Sequence, residues 1–199
     1  MFHLKQLIPI FNEQEITWLE TLLAVLQIKR VVKGQMLYQE GQAFNEVYIT
    51  LSGLYRSFYL FDAQEINLRF LAGHSLLCPF SAIAQRLYAK QDSPYIAAES
   101  IECVSAGEVL VMPLTSFLPQ PSHPNYLIHI KAFNYTALEH YLSLERRLKM
   151  IQHKRAKDRY DYFCQVMPAE IVSAMPNYHV ASYLGITPEV LSRIKNKVA

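Results

Sequence analysis

The sequence predicts an α+β protein: an N-terminal jelly roll or double-stranded β-helix, a long dimerisation helix, and a C-terminal helix-turn-helix. Three observations carry this. Short β-branched and aromatic runs alternate with glycines between Gly34 and Gly107, the pattern of many short strands with tight turns. An apolar seam in steps of three and four then continues over 125–154. Finally, residues 177–196 read NYHVASYLGITPEVLSRIKN, with a small residue, a glycine and a helix cap at the spacing two crossed helices need.

The elements follow in order. Asn12 and Glu15 form a capping box ahead of the apolar stripe Ile16, Leu19, Leu23 and Leu26, with Trp18 expected in surface or edge packing. Beyond Gln27 the period changes. Strands are expected at 47–52, 54–61 and 65–71, where Ile66, Leu68 and Phe70 alternate with polar residues, and weaker ones at 95–98, 101–105 and 108–112. FSAIAQRLY (80–88) reads as a short helix interrupting the sheet, either beside a ligand pocket or as plain packing. Pro119, Pro121 and Pro124 end the roll.

The long helix is expected over 125–154, roughly 45 Å at 1.5 Å per residue. Its seam runs through Ile130, Asn134, Ala137, Tyr141, Leu144, Leu148 and Ile151, a surface either for a second copy of the chain, the reading favoured here and one in which Asn134 sets the register, or for packing on the roll beside it. A second stripe, Leu138, Tyr141 and Leu142, is expected to cover the roll. The basic run RRLKMIQHKRAKDR (146–159) follows, open to two readings, phosphate contacts or a solvated hinge. An amphipathic helix through Tyr160, Phe163, Cys164 and Met167 comes next, broken by Pro168 and Pro176.

In the last segment Ala181 lies where two helices touch and Gly185 is free to take φ > 0 in the turn. Val180, Leu184, Ile186, Leu191 and Ile194 hold the pair together; Thr187 caps the second helix and Pro188 suits its first position. This leaves Glu189, Ser192, Arg193 and Asn196 on one solvent-facing stripe. Arginine pairs with guanine O6/N7, glutamate accepts from cytosine N4, and asparagine pairs with adenine, which is how a major groove is read.

Bulk properties agree. Half of the 199 residues are apolar and net charge is +2, but residues 1–144 carry 9 Lys+Arg against 12 Asp+Glu while 145–199 carry 10 against 5. An acidic front and a basic tail suit a binding module joined to a nucleic-acid-binding one. Cys78, Cys103 and Cys164 are scattered, so a reducing cytoplasm is expected and a disulfide framework is not. MFHLKQLIPIF does not read as a signal peptide and no apolar run reaches membrane-spanning length. HExxH, GxSxG and phosphate-loop motifs are lacking, so an enzyme is not expected.

In this order the segments KGQMLYQEG (33–41), VYITLSGLYRSFY (47–59), FLAGHSLL (70–77) and ASYLGITPEVLSRIK (181–195) resemble the Crp/Fnr family of bacterial transcription regulators over nearly the whole chain. The resemblance implies a cyclic-nucleotide-binding-like roll at 1–124, a dimerisation helix at 125–154 and a DNA-binding domain at 155–199. It implies a homodimer on a near-palindromic DNA operator, with half-sites roughly 34–36 Å apart, and RNA polymerase as a further partner. Glu189 and Arg193 match the family's base-reading positions, with Thr187 and Ser192 contacting phosphate or bases. Lys195 and Lys197 are phosphate candidates. Pro188 stands where some relatives place another base-reading arginine.

A small-molecule effector is expected, if at all, near Gly73, His74, Ser75, Leu76, Arg86, Asp92 and Ser93. Cyclic AMP is not expected. GHSLLCPF (73–80) has no glutamate for a ribose, and Asp92 stands where the phosphate-binding arginine would be. Three scattered cysteines do not suit an iron–sulfur cluster, His74 alone does not announce a haem, and no cofactor is expected. Cys78 is either a redox-sensitive thiol or a buried apolar residue. The sequence ends at Ala199 without the β-hairpin wing of many relatives, which implies weaker backbone contacts. The alternative reading is a small-molecule sensor acting through protein contacts, whose helix-turn-helix no longer reads DNA.

Overall fold

The computed structural model describes residues 10–89 and 94–196, without the side chains of 86–89. Asn12 caps α1 (Glu13–Ala24) through the expected capping box: its Oδ1 accepts from the Glu15 N–H, and Glu15 accepts from the Asn12 N–H, both at 2.9 Å. Ten strands follow: β1 (Gln27–Val31), β2 (Met36–Tyr38), β3 (Ala43–Phe44), β4 (Glu46–Thr50), β5 (Leu54–Phe61), β6 (Gln64–Ala72), β7 (Leu76–Leu77), β8 (Tyr95–Ile96), β9 (Ser100–Ser105) and β10 (Gly107–Pro113). They pair antiparallel into two four-stranded sheets, β1-β10-β4-β7 and β2-β9-β5-β6, with β3-β8 as a small third. All the expected strands form. β2, β3 and β7, of two or three residues each, are too short for alternation to announce them.

Two details of the roll differ from the sequence reading. Gly107 is the first residue of β10 rather than lying between strands, and a Cβ there would overlap the Ser52 carbonyl, so the position needs glycine. β6 does not alternate cleanly, because a register shift interrupts its pairing with β5. Ser57 faces Arg69 and Phe58 faces Asn67, leaving Leu68 as the extra residue. Asn67 and Phe70 thereby both meet the C-terminal helices while Arg69 turns toward Glu99.

Helix α2 (Phe80–Ala89) interrupts the roll as expected, and α3 (Leu114–Phe117) closes it. The long helix α4 (Tyr126–Gln152) spans about 40 Å. Its N-terminal half is clamped by α1: Ile128 and Ala132 pack against Phe11 and Leu19, and the Lys131 ammonium lies 2.6 Å from Glu15. Trp18 is half-buried, with its ring centroid 5.1 Å from that of His129.

The expected second stripe does not cover the roll at Leu138 or Tyr141, and of its three residues Leu142 alone is half-buried. Leu138 and Tyr141 are 53% and 61% exposed, and the roll is covered instead by Phe133, Ala137 and His140 on the next helical row. Ala137 therefore packs toward Phe80 and Phe117 rather than lying on a free seam. Beyond α4 come α5 (Ala156–Val166), α6 (Ala169–Ala174), α7 (Asn177–Leu184) and α8 (Pro188–Asn196). Their apolar faces share one cluster with Leu54, Phe70 and Val104 of the roll, which packs the two parts against each other.

Candidate nucleic-acid interface

α7 and α8 form the expected pair because the turn between them is fully satisfied. Gly185 takes φ 64°, ψ 41°, and its N–H bonds back to Ala181 and Ser182, while the Ile186 N–H donates to the Ala181 carbonyl at 3.0 Å. Arg159 of α5 completes the cap: Nη1 donates to the Leu184 carbonyl at 3.1 Å and Nε to the His153 carbonyl at 2.8 Å. Thr187 Oγ1 accepts from the Val190 N–H at 3.4 Å, and Pro188 takes the first position of α8. On the inner face Leu191 is fully buried among Val180, Ala181, Leu184 and Phe163.

This packing decides the outer face. Glu189, Ser192, Arg193 and Asn196 are all exposed along one side of α8, with Thr187 exposed at its start. A hydrogen bond from Thr187 holds the Glu189 carboxyl below its ordinary range, so it stays an ionised acceptor. Lys195 is less available than its position suggests. Its ammonium is 2.7 Å from Asn177 Oδ1 and 5.8 Å from the Tyr160 ring centroid. Lys197 lies outside the described residues.

The basic run at 146–159 divides between inner and outer roles. Arg159 caps α7, and the Arg147 guanidinium stacks over Tyr183 at 5.2 Å. Lys149, Arg155 and Lys157 make exposed pairs with Glu145, Asp158 and Asp161. Such exposed pairs contribute little stability.

The bulged strand holds α7 in place. The Asn67 N–H donates to Ser182 Oγ at 3.2 Å, that hydroxyl donates to the Glu65 carbonyl at 2.9 Å, and Asn67 Nδ2 reaches the His179 carbonyl. Behind Asn67, buried Arg56 pairs with Glu65 and Glu102, both at 2.6 Å. Burial, and then Arg56, push the His179 imidazole down to about 4. None of these polar ties was legible beforehand. A charged residue in the middle of each apolar run, Arg56 in LYRSFYLF and Arg69 in INLRFL, was the available signal.

On α4, Asn134, Tyr141, Leu144, Leu148 and Ile151 of the expected seam are exposed, as are Leu127 and Leu138, whereas Ile130 and Ala137 are half-buried. Ile130 lines an open groove of about 450 Å³ with Leu118, Pro119 and Phe133.

Of the residues expected around an effector, Gly73, His74, Ser75 and Leu76 lie fully among the described residues. The turn Gly73–Ser75 is tied to β4: Thr50 Oγ1 donates to the Gly73 carbonyl and accepts from the Ser75 N–H, and Ser75 Oγ donates to the Ala72 carbonyl. His74 is exposed, Gly73 lies near Glu170 of α6, and Leu76 is half-buried in β7. Asp92, Ser93 and the Arg86 side chain lie outside the described residues. The roll interior contains Tyr38, Tyr48, Tyr55, Leu77 and Ile101, with Tyr38 Oη donating to the Glu46 or Leu77 carbonyl at 2.8 and 3.0 Å. Between the roll and α4 lies a buried ion pair, Arg69–Glu99 at 2.6 Å, with Arg69 Nη1 2.9 Å from His140 Nδ1. Cys78 is fully buried and burial pushes its thiol up, so it behaves as a small apolar residue. Among the described residues no group of three or more His, Cys, Asp or Glu side chains could hold a metal ion, and no helix is long and apolar enough to cross a membrane.

No protein-family model matches the sequence, and no curated protein matches it. Solved structures do match the fold. FixK2 from Bradyrhizobium japonicum is 19% identical over 87% of this chain and 84% of its own, with a TM-score of 0.69. The c-di-GMP-responsive global regulator CLP of Xanthomonas campestris is 14% identical over 94% and 91%, with a TM-score of 0.64. A CRP/FNR-family transcriptional regulator of Thermus thermophilus is 13% identical over 86% and 85%, with a TM-score of 0.61. From the roll through the long helix to the helix-turn-helix, this chain has the fold of the Crp/Fnr transcription regulators.

Proposed function

We propose that this protein is a sequence-specific DNA-binding transcription regulator that acts as a homodimer. The observation that carries the reading is the polarity of α8. Leu191 is buried in the shared core, and Glu189, Ser192, Arg193 and Asn196 are all exposed on the opposite side. A helix serving only as packing has no need of four hydrogen-bonding side chains in one line, whereas a major groove is read by such a line. In this reading Arg193 and Glu189 contact bases, Ser192 and Asn196 contact bases or phosphate, and Thr187 contacts backbone phosphate. Lys197 adds a phosphate contact, and Lys195 joins it by exchanging Asn177 for phosphate.

Residues 1–124, 125–154 and 155–199 act as sensing roll, dimer helix and DNA-binding domain. The exposed apolar stripe Tyr141, Leu144, Leu148 and Ile151 pairs with a second copy, presenting two recognition helices to a near-palindromic operator. RNA polymerase is the expected downstream partner. The tyrosine-filled roll supports a regulator that does not take cyclic AMP, and no catalytic role is proposed.

Selection from a random duplex pool at about physiological salt, with wild type and Arg193→Ala in parallel, tests this. Wild type enriches a two-fold symmetric site; the variant loses choice at one base pair per half-site, worth roughly 1–3 kcal/mol. Failure of wild type to enrich any sequence, alone or with cell extract as effector source, refutes the reading.

A further inference from the structure

The Arg69–Glu99 pair is built unlike a stability device. Both residues are about 5% exposed, and bringing two charges out of water offsets most of their attraction. What the pair does is join segments far apart in sequence. Arg69 sits on β6, the edge strand of its sheet, and Glu99 lies just before β9. The Arg69 Nη2 that meets Glu99 also lies 3.4 Å from the Cys78 carbonyl, ahead of α2. Nη1 reaches His140 in the middle of α4, whose ring lies 5.0 Å, centroid to centroid, from Phe80. The guanidinium is thus fixed by a carboxylate on one side and in turn fixes the long helix on the other. Elsewhere the inner contacts of α4 near His140 are the apolar Phe133 and Ala137, which resist rotation less specifically than a directional hydrogen bond.

A buried guanidinium needs an anion, and here the chain supplies one. We propose that Arg69, Glu99 and His140 form an internal anion latch. The Glu99 carboxylate occupies the place a small carboxylate ligand would take on Arg69, and so ties α4 to the roll with no ligand bound. For the DNA readout this rests on the function proposed above; for the helix it stands alone. The orientation of α4, and through α5 that of α8, is then set from within, and an anionic effector is superfluous.

Glu99→Gly removes the carboxylate and its stem, leaving a formate- or acetate-sized space beside Arg69. The full-length variant is expected to show a lowered Tm and at least tenfold faster amide hydrogen exchange around residues 137–143. Formate at tens of millimolar restores both, and chloride at equal ionic strength does not. If the variant matches wild type, or if formate and chloride act alike on it, the latch is wrong.

Should Glu99→Gly fail to fold even in formate, Arg69→Met/Glu99→Leu decides, since an apolar pair of similar volume keeps the fold. Faster exchange at 137–143 and at least tenfold weaker operator binding support the latch; wild-type exchange overturns it. If wild type selects no operator, the function reading fails, while exchange and formate rescue still decide the latch.

Discussion

Replacing Gly185 with alanine isolates a single backbone term. Gly185 has φ 64°, a conformation that costs an L-residue about 1–2 kcal/mol. A clash does not add to this, because a Cβ there would meet Arg159 Nη1 at 3.5 Å, ordinary van der Waals contact. The cost is therefore conformational. Gly185→Ala is expected to lower the unfolding free energy by about 1–2 kcal/mol, and Tm by roughly 2–8 °C for a chain of this size. Gly185→Asn, whose short amide tolerates the left-handed region, should recover part of the loss. Urea unfolding followed by far-UV circular dichroism measures all three proteins. The reasoning fails if alanine is neutral, or if asparagine is worse than alanine, since steric crowding rather than φ would then dominate. Under conditions where both proteins are folded, operator affinity on the reading proposed above should change little, because the stripe on α8 is not touched.

Two further outcomes are expected. Tyr141→Lys/Leu148→Lys puts charge on the exposed stripe of α4, and sedimentation should move from dimer to monomer at micromolar concentration; an unchanged dimer would place the interface elsewhere. The second concerns pH. His140 and His179 are both pushed from 6.5 to about 4, by burial first and then by Arg69 and Arg56 respectively. Between these values the unfolded chain binds more protons than the folded one. Stability is then fully present above about 6.5 and falls as pH drops toward 4. The urea midpoint should trace that decline, and His140→Asn combined with His179→Gln should flatten it; an equally steep decline in the double variant would assign it to other groups.

Local rules made much of this protein legible. The capping box at Asn12 and Glu15, the strands through β4, β5 and β6, and the αL turn at Gly185 each depend on residues within a few positions of one another. The exposed stripe on α8 was legible for the same reason. Helical period alone puts Glu189, Ser192, Arg193 and Asn196 on one side once Leu191 is inward. The candidate effector residues were harder. Gly73, Ser75 and Leu76 are neighbours in sequence, but their polar groups hold a turn against β4, and nothing local reveals that Thr50 is there to receive them.

By itself, then, the sequence determined the longer strands β4, β5, β6, β9 and β10, the helices α1, α2, α4, α5, α7 and α8, the cap at Asn12 and the turn at Gly185, and which side of the last helix carries hydrogen-bonding groups. Periodicity and backbone preference act over a few residues and need no partner. Tertiary structure alone decided which row of α4 meets the roll, that the extra residue Leu68 puts Asn67 and Phe70 against α7, and that Arg69 finds Glu99 and His140. Those pairings join residues 30 and 71 positions apart. What selects them is the cost of leaving a charge unpaired in the interior, and that cost exists only once the chain has closed around it.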